Sequence, residues 1–178
     1  MIDKTSLRNR LLEERLKMLS SEREISQKKI VQDLKKILAL HEGPLGFYWP
    51  VRGEVDPRNA IEDWLTADSK NTACLPVIVK KNQPMVFRRW IPGSTMIKGA
   101  FNIAVPGPEN SLLKPKVLLI PTLGFNKKNY RLGYGGGYYD RTLQDYNGTT
   151  IGLCFQHGIC SDFEEETHDI PLDMIIVG

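Results

Sequence analysis

The segment between Arg131 and Arg141, with the letters RLGYGGGYYDR, has the residue types of an anion-binding loop. Glycines adopt positive φ angles and let the backbone approach a ligand, so their N–H groups can surround an anion. We expect a helix to begin near Tyr138, and its N-terminus would add N–H groups. The two arginines supply charge and paired hydrogen bonds to phosphate oxygens. The segment indicates a phosphate site, although a tight glycine turn without a ligand stays open.

Asp140 in this segment suggests that the phosphate carries a metal ion. A carboxylate is a poor direct neighbour of phosphate unless a cation lies between them, and Mg²⁺ is commonly held by one or two carboxylates together with nucleotide phosphates. The loop therefore indicates a metal–nucleotide site, although it lacks the GxxxxGK[ST] motif and resembles GxGxxG only loosely. Asp169, after His168, could be the second carboxylate; a turn or capping role there is equally open.

Charged residues elsewhere could contribute to the same site. Lys4 and Arg8 lie one helical turn apart and could clamp a polyphosphate, but their spacing alone favours a solvated helix face. Glu54 could accept hydrogen bonds from the N–H groups of a heterocycle, or it could be an ordinary loop acid. Trp49 and Trp64 are more typical of a core than of a ligand platform.

The helical elements that would position these residues are readable from hydrophobic periodicity. A helix over residues 3–19 is expected to bury one apolar stripe: Leu7, Leu11, Leu12, Leu16 and Leu19. Ser21 and Glu24 have the spacing of a capping box that opens a second helix. That helix is expected to bury another stripe: Ile30, Val31, Leu34, Ile37 and Leu38. Gly43-Pro44 would end it, and Asp56-Pro57 would open a third helix.

The strands are expected to alternate with these helices. Short apolar runs bounded by turn residues predict them over 47–49, 73–79, 85–90, near 101–105, and over 117–120, 149–155 and 174–177. The run over 117–120 is almost continuously apolar, as in a buried central strand. Alternation of this kind predicts an α/β fold with a largely parallel or mixed sheet.

Composition limits the possible classes of protein. The 178 residues suit one domain, and the net charge of +3 is too small to indicate nucleic acid as a partner. No run approaches the roughly 18 apolar residues of a membrane helix, and the charged N-terminus does not resemble a secretory signal. Cys74, Cys154 and Cys160 form no CxxC pair, which favours reduced thiols. We expect a soluble, cytoplasmic protein.

The stretch RLGYGGGYYDRTL, preceded by an apolar strand and Pro121, closely resembles the signature of the 5-formyltetrahydrofolate cyclo-ligase family. Weaker matches fall in the family's order along the whole chain: Lys4 with Arg8, 21–23, 53–56, 75–77 and His168-Asp169. The resemblance implies a single domain over residues 1–178 with a three-layer α/β/α fold. It also implies an ATP- and magnesium-dependent conversion of 5-formyltetrahydrofolate to 5,10-methenyltetrahydrofolate through a phosphorylated formyl intermediate, with release of ADP and phosphate.

The resemblance also implies the role of individual residues. ATP would be bound by Lys4, Arg8, Arg131, Gly133, Gly135, Gly136, Gly137 and Tyr139. The reduced folate would be bound by Trp49, Glu54, Tyr134, Gly135, Gly136, Gly137 and Tyr138. Arg131 and Tyr138 would be catalytic, and Asp140 and Asp169 would bind Mg²⁺. Small molecules would be the only partners of a monomer, with no nucleic acid or membrane.

The sequence departs from the family's usual pattern at positions expected to lie near this site. Val105 and Lys116 stand where acidic residues are common, Asn126 replaces an aspartate, and Asn129 replaces a glycine. These losses of charge motivate an alternative, a non-catalytic folate- or nucleotide-binding protein on the same scaffold. A third possibility is a phosphotransferase or ligase that acts on another amide-bearing substrate.

Overall fold

A six-stranded sheet forms the centre of the protein, in the order β10-β9-β6-β1-β2-β3. A computed structural model describes residues 3–160 and 163–178 of the chain. The strands of this sheet are β1 (Leu45–Gly46), β2 (Ala73–Val77), β3 (Val86–Trp90), β6 (Val117–Pro121), β9 (Thr149–Cys154) and β10 (Met174–Val177). Every neighbouring pair is parallel except β2 and β3, so β3 is an antiparallel edge strand.

Four α-helices and two small ribbons complete the described part of the chain. The helices are α1 (Lys4–Lys17), α2 (Ser20–Leu38), α3 (Arg58–Ala67) and α4 (Tyr138–Leu143). The antiparallel ribbons pair β4 (Met96–Lys98) with β5 (Ala104–Pro106), and β7 (Gly124–Phe125) with β8 (Arg131–Leu132). Short 3₁₀ turns occupy Ala100–Asn102 and Gln156–Gly158.

Alternation along β6 shows why the fold has three layers. Val117 and Leu119 pack in one core cluster with Leu34 of α2 and Ile61 of α3. Leu118 and Ile120 point the other way and pack in a second cluster with Leu143 of α4. Because successive side chains of a strand face opposite sides, one apolar strand needs cover on both faces. The expected three-layer α/β/α architecture with a mostly parallel sheet is therefore confirmed.

Helix α1 packs differently from its prediction. Leu7 and Leu11 are buried in a third cluster, whereas Leu16 and Leu19 are 58% and 64% exposed, so the expected stripe is wrong at its C-terminal end. The third buried residue of the helix is Arg15, four residues after Leu11 on the same face. The buried row of α1 therefore continues to a hydrogen-bonded arginine, whereas the apolar pattern had continued it to Leu16.

Three predicted boundaries were also wrong. Helix α2 begins at Ser20 after Leu19, without a side-chain cap, so Ser21 and Glu24 do not form a capping box. It ends at Leu38 and not at Gly43-Pro44. Strand β1 lies at Leu45–Gly46, before the aromatic segment at 47–49, since residues 45 and 46 make the pairings with β2 and β6.

The other predicted elements are reproduced more closely. Helix α3 begins at Arg58, whose amide bonds to Asp56 Oδ1 at 3.0 Å, although Pro57 holds the N-cap position. Residues 100–102 form a 3₁₀ turn, and β5 begins only at Ala104, where a strand had been expected from about 101. Strands β2, β3, β6, β9 and β10 begin and end at most two residues from their predicted bounds.

The order of the strands creates a crevice beside β1. The chain moves from β1 to β2 and β3 on one side, then returns to β6, β9 and β10 on the other. Loops that follow β1 and β6 consequently diverge at their carboxyl ends, which is where sheets of this type bind ligands. The loop after β1 carries Glu54, and the chain after β6 leads through β7 and β8 into the glycine-rich loop. Topology thus places these two predicted parts of the site at the same crevice.

Candidate active site

The glycine-rich loop between β8 and α4 has a backbone that only glycine adopts without strain at two positions. Gly135 and Gly137 have φ angles of +88° and +64°. Arg141 Nη2 donates to the Gly136 carbonyl at 2.7 Å and fixes the end of the loop. The helix that follows has only six residues, so its dipole is small. Anion binding would therefore depend on the loop N–H groups and nearby arginines more than on the helix.

Arg131 and Asp140 form an ion pair across the base of this loop. Arg131 Nη1 donates to Asp140 Oδ1 at 2.9 Å, and the two side chains are only 5% and 16% exposed. The guanidinium of Arg131 also lies 5.6 Å from the ring centroid of Tyr139. Within the described residues, Asp140 Oδ2 has no hydrogen-bond partner. The pair thus holds Arg131 in one orientation and leaves one carboxylate oxygen for a ligand.

Helix α1 reaches the loop through Arg8. The Nε of Arg8 donates to the Gly133 carbonyl at 2.9 Å. The same guanidinium lies 3.5 Å from the point where a Cβ on Gly135 would be. Arg8 therefore crosses the glycine-rich loop, and the interpretation of this helix face as merely solvated is wrong.

Lys4, one turn earlier on α1, contacts the segment before β10. Its Nζ lies 3.0 Å from Asp169 Oδ2 and 2.7 Å from Glu166 Oε1. Burial lowers the pKa of Lys4, but the bonds to Glu166 and Asp169 outweigh it, and its pKa lies above the ordinary value. Burial conversely raises the pKa of Asp169, but the Glu166 amide and Lys4 hold it below the ordinary value. Lys4 and Asp169 are thus brought together as a charged pair.

Glu54 is buried and bonded to the glycine-rich loop from the opposite side. Its Oε1 accepts from the Tyr134 hydroxyl at 2.9 Å, and its Oε2 accepts from the Val51 amide at 2.9 Å. Burial raises the pKa of Glu54, an effect opposed by these two bonds and by the charges of Arg15 and Arg52. The structure therefore joins Glu54 to the glycine-rich loop.

The aromatic residues divide into two places. Tyr138 begins α4 beneath the Arg141 guanidinium, at 4.8 Å, and its ring meets Phe101 edge-to-face at 5.9 Å. Trp49 instead contacts Trp90 and Arg58 and lines a cavity of about 400 Å³ with Asp56. Among the described residues, no aromatic or hydrogen-bond contact joins Trp49 to the glycine-rich loop. Trp64 is buried, as expected for a core residue.

Two residues of the site were missed by sequence reasoning. Arg15 is 2% exposed and bonds to the Tyr134 hydroxyl, and its four-residue spacing from Leu11 was the available signal. Phe101 is 70% exposed with a φ of +54°, an uncommon conformation for a bulky residue, and it contacts Tyr138. No pattern in the sequence marks Phe101, because the contact depends on the bend between β4 and β5.

The four family departures have local explanations. Val105 is buried in β5 against Gly99. Asn126 is buried, and its Oδ1 accepts from the amides of Lys128 and Tyr130, a turn role that the asparagine side chain fulfils. Asn129 has a φ of +62°, which asparagine tolerates better than most residues. Lys116 lies at the amino end of β6, the opposite end from the glycine-rich loop, so its expected closeness to the site is wrong.

A larger cavity, of about 1410 Å³, lies at this amino end of the strands and is lined by Lys116, Thr149 and Asp173. None of the predicted site residues lines it. The candidate active site is therefore the crevice at the carboxyl ends of β1 and β6, away from the larger cavity.

Magnesium would have a limited number of protein ligands here. No group of three or more His, Cys, Asp or Glu side chains suited to a metal occurs within residues 3–160 and 163–178. Mg²⁺ in nucleotide sites is held by one or two carboxylates, phosphates and water. The donor set of Asp140, with its second oxygen unpaired in the described structure, fits an ion that arrives with a nucleotide.

These features define an α/β protein with a candidate ligand site between the loop after β1 that carries Glu54 and the glycine-rich, arginine-lined loop after β6. The chain belongs to the 5-formyltetrahydrofolate cyclo-ligase family, whose model matches residues 1–178. It is 32% identical over 145 residues to a 5-formyltetrahydrofolate cyclo-ligase of Haemophilus influenzae, covering 75% of each chain. It is 30% identical over 183 residues to the enzyme of that name from Mycoplasma genitalium, covering 99% of this chain and 98% of the other.

A solved structure gives the same result for the fold. The 5,10-methenyltetrahydrofolate synthetase of Mycoplasma pneumoniae superimposes with a TM-score of 0.80, at 27% identity and with 98% of each chain covered. The described helices include none that is both long and apolar enough to cross a membrane. The three cysteines are free, and all three are buried.

Proposed function

We propose that the protein catalyses the ATP- and magnesium-dependent cyclisation of 5-formyltetrahydrofolate to 5,10-methenyltetrahydrofolate, with release of ADP and phosphate. The observation that carries this proposal is the convergence of distant residues on one loop. Arg8 reaches the loop from α1, Glu54 reaches it from the chain after β1, and Arg131 with Asp140 closes its base. The names of the relatives support the same reaction.

The chemistry explains why such a site needs no nucleophilic side chain. A formamide oxygen is a poor leaving group, so it first attacks the γ-phosphorus of ATP, and ADP leaves. The nitrogen at position 10 then attacks the activated formyl carbon, loses its proton and closes the ring, while the oxygen departs with phosphate. The protein is required mainly to align the reactants and to stabilise charge.

The nucleotide side of the site would be formed by α1 and the glycine-rich loop. Arg131 is held by Asp140, so its guanidinium is oriented before ATP arrives, and preorganised charge of this kind stabilises a transferring phosphoryl group. Backbone amides of Gly133, Gly135, Gly136 and Gly137, with the neighbouring Tyr139, would surround the phosphates. Arg8 already crosses the loop, and Lys4 lies one turn earlier on the same helix.

The folate side would be formed by Glu54 and Tyr134, with Trp49 beyond them. A buried carboxylate accepts hydrogen bonds from the N–H groups of a pterin ring, and Glu54 already has its orientation fixed by the Val51 amide. Tyr138 stands between the two sides at the start of α4 and would contact the transferred phosphate. Trp49 would lie next to the pterin at the rim of the 400 Å³ cavity.

Asp140 and Asp169 would hold the magnesium ion together with ATP phosphates. When bound, Mg²⁺ would neutralise charge on the ATP phosphates. Asp140 offers its Oδ2, whereas Asp169 Oδ2 is bonded to Lys4 and to the Glu166 amide. Lys4 would therefore exchange its carboxylate partner for phosphate when the nucleotide enters.

The direct test is a turnover assay, since 5,10-methenyltetrahydrofolate absorbs in the near ultraviolet where its precursor does not. We expect an absorbance rise that requires 5-formyltetrahydrofolate, ATP and Mg²⁺ together. Calorimetric binding of folate without ATP consumption would instead support the non-catalytic alternative. Phosphate release with another amide but not with this substrate would support a different ligase. We further propose that the enzyme acts as a monomer in the cytoplasm, which size-exclusion chromatography and cell fractionation would test.

A further inference from the structure

Arg15 is a buried cation that the proposed reaction does not use. Its residue is 2% exposed, and it lies at the third position of the inward-facing row of α1, after Leu7 and Leu11. A buried charge is costly unless it is paired or fully hydrogen-bonded. The bonds made by this guanidinium therefore indicate what holds it there.

The guanidinium joins two loops that lie on either side of the crevice. Arg15 Nε donates to the Arg52 carbonyl at 3.1 Å, two residues before Glu54. Its Nη2 donates to the Tyr134 hydroxyl, and this hydroxyl in turn donates to Glu54 Oε1 at 2.9 Å. Arg15 thus connects the loop after β1 to the glycine-rich loop, and Tyr134 forms the bridge.

The loop that it holds has an unfavourable backbone. Arg52 and Gly53 have φ angles of +50° and +69°, and a left-handed conformation at a non-glycine residue persists only where the surroundings impose it. Arg23 of α2 contributes a second restraint, because its Nη1 donates to the Gly53 carbonyl at 2.7 Å and its Nη2 to the Arg15 carbonyl. Two arginines from two helices therefore fix consecutive carbonyls of a strained turn that leads directly into Glu54.

We propose that Arg15 is a positioning residue for folate, which acts by fixing the Glu54 carboxylate and the Tyr134 hydroxyl in one arrangement. It does not touch the reacting atoms. The kinetic test of this inference rests on the proposed function, whereas the hydrogen-exchange test rests on the structure alone. Removing Arg15 should weaken folate binding and leave ATP binding intact, since Arg8 and Arg131 bond to other parts of the loop.

The charge of Arg15 also predicts a pH effect. Ionised Glu54 is the form that accepts hydrogen bonds, and burial raises its pKa while Arg15 and Arg52 lower it. Among the described residues, the buried Tyr48, Tyr134 of the glycine-rich loop and Tyr139 of α4 also interact with Glu54. Loss of the Arg15 charge therefore moves the acid limb of kcat/KM for folate to higher pH. A lysine at this position keeps the charge and should keep the acid limb.

The kinetic test uses Arg15→Met, Arg15→Lys and Tyr134→Phe, with Lys28→Met as the control. Lys28 is an exposed cation of α2 paired with Glu24 at 2.8 Å. We expect Arg15→Met to lower kcat/KM for folate about tenfold or more through KM, with KM for ATP unchanged, as is typical when a hydrogen bond to a charged group is lost. Tyr134→Phe should raise KM for folate in the same direction. Arg15→Lys should raise KM for folate by a smaller factor in the Tyr134→Phe background than in the otherwise unchanged protein, because the two residues share one hydrogen bond.

Several outcomes would overturn the proposal. A loss of kcat with unchanged KM values would indicate a structural role only. A lower KM for folate in Tyr134→Phe would show that the hydroxyl competes with folate for Glu54. If Arg15→Met does not fold, Arg15→Lys and Tyr134→Phe still decide between these outcomes.

Hydrogen exchange separates this inference from the proposed function. The amides of Val51 and Glu54 are bonded within the loop, to Glu54 Oε2 at 2.9 Å and to the Val51 carbonyl at 3.0 Å. Arg15→Met or Arg15→Lys should speed exchange in peptides covering 50–56 and 131–137 relative to Lys28→Met, at equal global stability. Unchanged exchange there overturns the positioning role. Faster exchange in a protein without turnover would reject the function and retain the role of Arg15.

Discussion

Gly137 offers a quantitative test of the glycine-rich loop, because alanine there must adopt a φ of +64°. A left-handed conformation costs a non-glycine residue about 1–2 kcal/mol. The new Cβ would also lie 2.7 Å from Arg141 Nη1, the end of a flexible side chain that can move away. The hydrogen bond from Arg141 to the Gly136 carbonyl is exposed, so its loss adds little to the cost in stability. We therefore expect Gly137→Ala to lower the free energy of unfolding by about 1–2 kcal/mol.

Gly133→Ala in the same loop is the matched control. No heavy atom lies within 4 Å of the position of its Cβ, and its φ is not in the left-handed region. Replacing glycine by alanine at such a position is neutral or stabilises the protein by about 0.4–1 kcal/mol, because it reduces the conformational entropy of the unfolded chain. Urea unfolding measures both variants, and a slope of about 1–3 kcal/mol/M converts the Gly137→Ala loss into a midpoint decrease of about 0.3–2 M. Equal midpoints for the two variants would refute the assigned backbone conformation.

Two further substitutions test individual carboxylates. Asp140→Asn keeps an oxygen acceptor for Arg131 but loses the negative charge. We therefore expect this variant to need a higher magnesium concentration and its turnover to fall at least about a hundredfold, whereas the control Asp145→Asn, on the exposed surface, should have no effect. Near-normal magnesium dependence in Asp140→Asn would reject the metal assignment. Burial raises the pKa of Glu54 above its ordinary value of 4.5, so the folded state binds this proton more tightly and loses stability as pH rises from about 4.5 through the folded-state pKa. Glu54→Gln should remove that component, which urea unfolding at several pH values measures; an unchanged pH dependence would show that Glu54 titrates normally.

The sequence predicted most of the sheet because its strands are short apolar runs with clear boundaries. β6 and β10 are continuous in this way, and both were found within a residue of their predicted bounds. β1 was placed too late because aromatic residues at 47–49 have strand propensity, whereas pairing with β2 and β6 selects residues 45 and 46. Strand propensity does not predict this register, because the register depends on which strands are neighbours in the sheet.

The site was predictable where a local motif defined it. The glycine-rich loop and the start of α4 at Tyr138 follow from glycine and helix chemistry. Lys4 and Arg8 were ambiguous, because a charged helix face is usually solvated and only the tertiary structure shows their bonds to Asp169 and Gly133. Arg15 was missed for the opposite reason: it lies in the buried row of α1, where an apolar residue is the usual expectation.

The account depends most on the claim that the glycine-rich loop, Glu54 and the arginines of α1 form one site for ATP and a reduced folate. The most direct measurement is the near-ultraviolet absorbance of the purified protein with 5-formyltetrahydrofolate, ATP and Mg²⁺. We predict a steady rise that needs all three components, accompanied by one ADP for each methenyltetrahydrofolate formed. If protein that is folded and binds ATP produces no rise in absorbance, that result contradicts the claim.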